Sequence, residues 1–132
     1  MEADLQTLSS MAAVLKDVED MQKMSEYLDE VNQSNAFLTM AYFKQDGEGV
    51  ISTAGRRPVT DAVLSDLTQE GQDGIRKALE GESSVSRLFM SNVSDNRVFA
   101  YSVPVYKEGQ ITGALTASDH IEILRIFLPA IR

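Results

Sequence analysis

Cysteine and tryptophan are absent from this chain, and its one histidine is His120. Without thiols neither a disulfide framework nor a thiolate zinc site can form, and with one imidazole a metal would have to be held mainly by oxygen. No spacing of carboxylates supports such a site. The Gln45-Asp46-Gly47-Glu48-Gly49 turn has oxygen and glycine but not the pattern of a twelve-residue calcium loop. No metal or other cofactor is expected. Basic residues are scarce as well: 12 Lys and Arg against 20 Asp and Glu leave a formal charge of -8. Nucleic acid is therefore not an expected partner, because phosphate binding needs clustered cations that release counterions. The nearest cluster, Arg56-Arg57 before Pro58, reads as a solvated surface pair, with anion capture as the alternative. Long apolar runs are missing too. None approaches the roughly 20 residues that span a bilayer, and Met1-Glu2-Ala3-Asp4 has neither the basic nor the apolar part of a signal peptide.

What is present is a soluble globular composition, 43% hydrophobic and 24% charged over 132 residues. That length suits one domain with a single core. It divides into an opening helix over residues 1–34 and a core over 35–132. Leu5, Leu8, Met11, Leu15, Val18, Met21, Met24, Leu28 and Val31 recur in steps of three and four, one helical stripe with acidic residues on the other faces. A single helix over residues 5–34 would be about 45 Å long. Such a helix exceeds the needs of the domain's own core, so part of its seam is expected to meet another chain or to project toward a neighbouring element. The methionines in it suit either ordinary packing or an adaptable groove.

Alternation takes over after Ser34. Strands are expected at Asn35 to Lys44, Val50 to Thr53, Ser84 to Ser91, Arg97 to Tyr106 and Ile111 to Ser118, with Asp46-Gly47 and Lys107-Glu108-Gly109-Gln110 as hairpin turns. Between the second and third strands the pattern turns helical. One short helix is capped by Thr60-Asp61 and runs to Asp66 or Leu67; another spans Gln72 to Glu80 and stops at Gly81, with Gly71 to Gly74 between them. Asp119 is placed to cap a final helix from His120. The apolar end, Ile121 to Arg132, reads as the cut edge of a longer protein. The fold class is α+β: a long helix on a five-stranded antiparallel sheet, with short helices over the other face.

Catalysis finds little to work with. Ser118, Asp119 and His120 are consecutive, and neighbours in a strand point to opposite faces, so they cannot align as nucleophile, orienter and base. Asn92-Val93-Ser94 matches a glycosylation triplet, a pattern that arises often by chance. The informative feature is the contrast between strand faces. Ile111, Gly113, Leu115 and Ala117 form an apolar face, while Thr112, Ala114, Thr116 and Ser118 form a small, polar one. Phe99, Tyr101, Val103 and Val105 oppose Val98, Ala100, Ser102 and Pro104 in the same way. A small polar face has two readings of equal weight: the wall of a small-molecule pocket, or a surface simply closed by the short helices. The candidate binding residues are Tyr101, Ser102, Thr116 and Ser118 on the strands, with Arg87 and Arg97 to take a carboxylate and Asp119 to take an ammonium group.

Val103-Pro104-Val105-Tyr106, the Gly109 turn, Ile111-Thr112-Gly113-Ala114-Leu115 and the run from Asp119 to Leu124 resemble the Cache domain, an extracytoplasmic relative of the PAS fold. Lys77 to Ser84 and the opening helix are similar to the same family. The resemblance implies the sensor domain of a bacterial chemoreceptor, histidine kinase or diguanylate cyclase, periplasmic or extracellular, in a parent anchored in the membrane. It implies a pocket roofed by residues 54–81, a homodimer through the N-terminal helix, and an output domain downstream. In amino-acid-binding members an aspartate at the end of the last strand takes the amino group, a place similar to that of Asp119. Their Tyr, Arg, Trp and Tyr set for the carboxylate has no match here, which leaves amino acid, organic acid and amine all open as ligands. A ligand-free dimerisation module of the same fold is the second reading.

Overall fold

Where the apolar stripe predicts one helix, the chain forms two. In a computed structural model, residues 2–15, 20–35, 38–53, 57–91 and 97–120 are described. Helix α1 is Glu2–Leu15 and helix α2 is Met21–Asn35. Asp20 stands outside both. Its Oδ1 accepts from the Gln22 backbone N–H at 2.8 Å, and its carbonyl accepts from that of Met24 at 2.9 Å. Both contacts are those of an N-cap, and they start a new helix instead of continuing the old one. Replacing Asp20 with Ala should lower stability by about 1 kcal/mol, read as a lower urea midpoint at unchanged m-value. An unchanged midpoint would mean that the cap contributes nothing.

After the helices come β1 (Thr39–Lys44), β2 (Glu48–Thr53), β3 (Val59–Val63), a 3-10 turn (Leu64–Asp66), α3 (Gln69–Leu79), β4 (Ser84–Val85), β5 (Phe89–Met90), β6 (Arg97–Lys107) and β7 (Gln110–His120). The sheet runs β3-β2-β1-β7-β6-β4, with β5 also pairing on β6, and every pairing is antiparallel. Among the described residues seven strands thus stand where five are expected. β6 and β7 form the long central hairpin that the alternation predicts. It turns through Glu108 and Gly109 at φ 53° and 79°, the pair of left-handed residues that a tight hairpin requires.

Two corrections fall between Pro58 and Leu79. The predicted helix at Thr60-Asp61 is instead edge strand β3, paired with β2 through Val59, Ala62 and Val63. Valine and threonine at three of its five positions favour extended backbone, and of these five side chains only Ala62 is buried. The helix cap belongs to Thr68, whose Oγ1 accepts from the Gly71 N–H at 3.4 Å, so Gly71 and Gly74 lie inside α3 instead of before it. Gly81 does end that helix region, at φ 102°.

The predicted strand from Ser84 to Ser91 is also split. Ser86 Oγ accepts from the Ala100 N–H at 2.9 Å and donates to the Arg87 carbonyl at 2.7 Å, so a side chain takes the place of a ladder carbonyl. At the far end β7 continues through Asp119 to His120, which pairs with Val98. Both residues belong to the strand; the expected final helix falls on residues 121–132, which, like the triplet at 92–94 and Arg56, lie outside the described residues.

One sheet face carries α1 and α2. Leu8, Ala12, Leu15, Met24 and Leu28 bury against Met40, Tyr42, Val50, Tyr101, Val103, Val105 and Leu115. α1 covers β6 and β7, while α2 covers β2 and β1. The described part of the stripe is therefore spent on the chain's own sheet. A polar seam crosses this interface: Ser52 Oγ donates to Asp29 Oδ1 at 3.1 Å, and Asn32 Nδ2 donates to the Ser52 carbonyl at 3.4 Å. The other face carries α3, with Ile75 and Ala78 packed on Ala41, Phe43, Ile51, Ala62 and Ala114.

Candidate functional site

The register of the sheet lines up small residues across four strands. Thr53, Thr39, Ser118 and Ala100 form one row, and Ile51, Ala41, Thr116 and Ser102 form the next. A third row, one step further along the strands, contains Phe43 beside Ala114. There the Phe43 ring reaches α3 and the layers close. Over the first two rows Ile51 is the one large side chain on this face, and a cavity opens between sheet and helix. Its floor is Thr39, Ala41, Ile51, Ala100, Thr116 and Ser118; its roof is Leu67, Thr68, Gly71 and Ile75; Phe89 and Ser91 form a side. The space between these walls, mouth included, is about 430 Å³, of which about 50 Å³ admits the centre of a water molecule. The larger figure includes solvent at the mouth, so the enclosed part is well below the roughly 300–1,000 Å³ of drug-sized ligand sites.

The cavity's hydrogen-bonding capacity is uneven. Thr116 Oγ1 donates to the Tyr101 carbonyl at 3.0 Å and lies 3.0 Å from Ser102 Oγ. Thr68 Oγ1 is committed to its helix. Thr39 Oγ1 and Thr53 Oγ1 share a proton at 3.4 Å. The hydroxyl of Ser118, a residue 9% exposed, has no hydrogen bond to a described residue and faces the cavity. Among the described residues the lining holds no ionisable side chain, and no cluster of His, Asp or Glu that could hold a metal forms anywhere.

The residues singled out from sequence divide four ways. Thr116 and Ser118 come together in the floor. Ser102 shares their face but lies under α3, where a side chain on Gly74 would stand 3.0 Å from its hydroxyl. Tyr101 is turned away, buried with Val103 and Val105 beneath the N-terminal helices. Strand alternation puts Asp119 on that same face, two residues beyond Ala117. Arg87 and Arg97 are exposed near β5 and form no part of the lining. The structure therefore does not gather the three charged residues around the cavity. Its floor adds Thr39 and Ala41, which alternate with Met40 and Tyr42 in β1, a contrast of small against large that was open to the same reading. Tyr42, on the helix side, has its phenol pushed above the usual range by burial.

The layers, N-terminal helices on one face of an antiparallel sheet and α3 on the other, superpose on solved sensory domains of chemoreceptors, whose fold is of the Cache type. The chain has that fold. It superposes on the sensory domain of the Campylobacter jejuni chemoreceptor Tlp3 with isoleucine bound, at TM-score 0.77 and 17% identity over 96% of this chain and 54% of that one. The same domain in complex with L-valine gives 0.77 and 17%, over 96% and 55%. The ligand-binding domain of the Pseudomonas fluorescens chemoreceptor CtaA in complex with L-leucine gives 0.69 and 10%, over 93% and 51%. The chain spans about half the length of these structures. No family model and no curated sequence matches it. No helix among the described residues is long and apolar enough to cross a membrane.

Proposed function

We propose that the chain is the extracytoplasmic sensory domain of a bacterial transmembrane signalling protein, and that the cavity between its sheet and α3 binds a small molecule. The observation that carries this reading is the cavity itself: mostly small residues in register across four strands leave space under α3, in a fold whose solved examples include amino-acid complexes. Ala41, Ile51, Ile75 and Phe89 suit a short aliphatic group. Ser118, with Thr39 beside it across the β1–β7 pairing, is the polar anchor. Thr116 belongs to the site through its place in the floor, with Ser102 supporting its hydroxyl. An amino acid, organic acid or amine of that size is the ligand class.

The signal is a change in the preferred arrangement of the domain, which requires the ligand to bind one arrangement better than the other. In this reading the protein works as a homodimer and passes the change to a downstream output domain. A thermal-shift panel of L-amino acids, 2-hydroxy acids, carboxylates and amines tests it. At a ligand concentration about a hundred times its Kd, the domain gains about 2.7 kcal/mol and melts at a clearly higher temperature. A flat response across the whole panel would refute small-molecule sensing.

A further inference from the structure

We infer that Gly71 sets the upper size limit of the ligand; the inference rests on the small-molecule reading of the cavity. A glycine inside a helix weakens it, because glycine loses the most backbone freedom on folding. α3 contains two of them. Gly74 has a local cause: an added Cβ would stand 3.0 Å from Ser102 Oγ, with Ser84 Oγ at 3.8 Å, so the helix can lie this close to the sheet only without a side chain there.

Gly71 has no such cause. Its backbone is helical, with no positive φ to favour glycine. An added Cβ would meet Leu67 Cβ at 3.6 Å, Thr68 Oγ1 at 3.6 Å and Leu67 Cδ1 at 3.8 Å, all ordinary contacts, and no atom of the sheet lies nearer than these. Neither conformation nor packing calls for glycine at this position. What distinguishes Gly71 is that it lines the cavity, as do both residues that the added methyl would touch. The missing side chain is therefore part of the ligand's space. The floor is kept small in the same region by Ala41, Thr116, Ser118 and Ala100, so roof and floor serve one volume. With a methyl at Gly71 the long or branched ligands meet the roof first, while short ones still fit.

The test compares wild type with Gly71→Ala, both melted without ligand and titrated calorimetrically with three graded series: L-alanine, L-valine and L-isoleucine; lactate and 2-hydroxyisovalerate; ethylamine and isobutylamine. The ligand-free variant should melt higher by about 3–5 °C, because alanine is the better helix former. Within the series that wild type binds, the variant should lose affinity for the largest member by about tenfold relative to the smallest, the usual worth of a methyl group in a tight apolar site. A variant that melts higher but keeps the wild-type size preference would overturn the role of Gly71 and leave the cavity reading intact. Failure of wild type to bind any member would overturn both.

Discussion

Phe43→Ala should lower the unfolding free energy by about 3–5 kcal/mol, the usual loss for a fully buried aromatic side chain. Phe43 is 0% exposed and packs with Ile75, Ala78 and Ala114 where α3 meets the sheet. Its ring also fills the space beside Gly49, across the β1–β2 pairing: a Cβ on Gly49 would overlap both that ring and the Tyr42 carbonyl. With the backbone of two strands packed around it, the site cannot collapse readily, which places the loss toward the upper end. Urea unfolding followed by circular dichroism measures it. A loss below about 1 kcal/mol would contradict the assignment of Phe43 as the plug that closes one end of the cavity.

Ala41→Leu should abolish ligand binding while the protein still folds. Ala41 is 3% exposed, lies between Ile51 and Thr116 in the second row of the floor, and shares its strand face with Thr39 and Phe43. An isobutyl group there rises into the cavity, where only about 50 Å³ admits the centre of a water molecule. Misfit of the larger side chain costs about 1–3 kcal/mol, less whatever its new apolar contacts return, so a folded variant is expected. The stabilisation that a ligand gives wild type, about 2.7 kcal/mol at a hundredfold excess over Kd, should vanish. Calorimetric titration beside a thermal melt separates the two effects. If the folded variant binds as wild type does, the ligand sits elsewhere.

The central hairpin and its two contrasting faces were legible in the sequence because side-chain direction in a strand depends only on the residue's parity. The same rule put Tyr101 and Asp119 on the apolar face, against their selection as ligand contacts. The break at Asp20 was harder to read. The stripe keeps its steps of three and four across it, since both helices present one side to the same sheet, and the cap is the one local sign. β3 was missed because an edge strand with a single buried residue has no alternation to detect. The cavity was half legible. Small polar residues on one face of β7 were visible, but their union with Thr39 and Ala41 depends on the pairing of β1 with β7, which joins segments far apart in the chain. The described part of the helical stripe also changes what counts as a test of dimer formation. Leu15 and Met24 are buried in the chain's own core, so lysine at either would disrupt the fold before it reported on a partner.

In β2, Ile51 touches the cavity while the adjacent Ser52 is hydrogen-bonded to both Asp29 and Asn32 of α2. A greasy interface can slip, but one keyed by directional bonds has a fixed registry. At this strand the wall of the cavity and the anchor of the helical layer are joined by a single planar peptide unit. A ligand that displaced Ile51 would therefore act one residue away from the bonds that key α2 to the sheet.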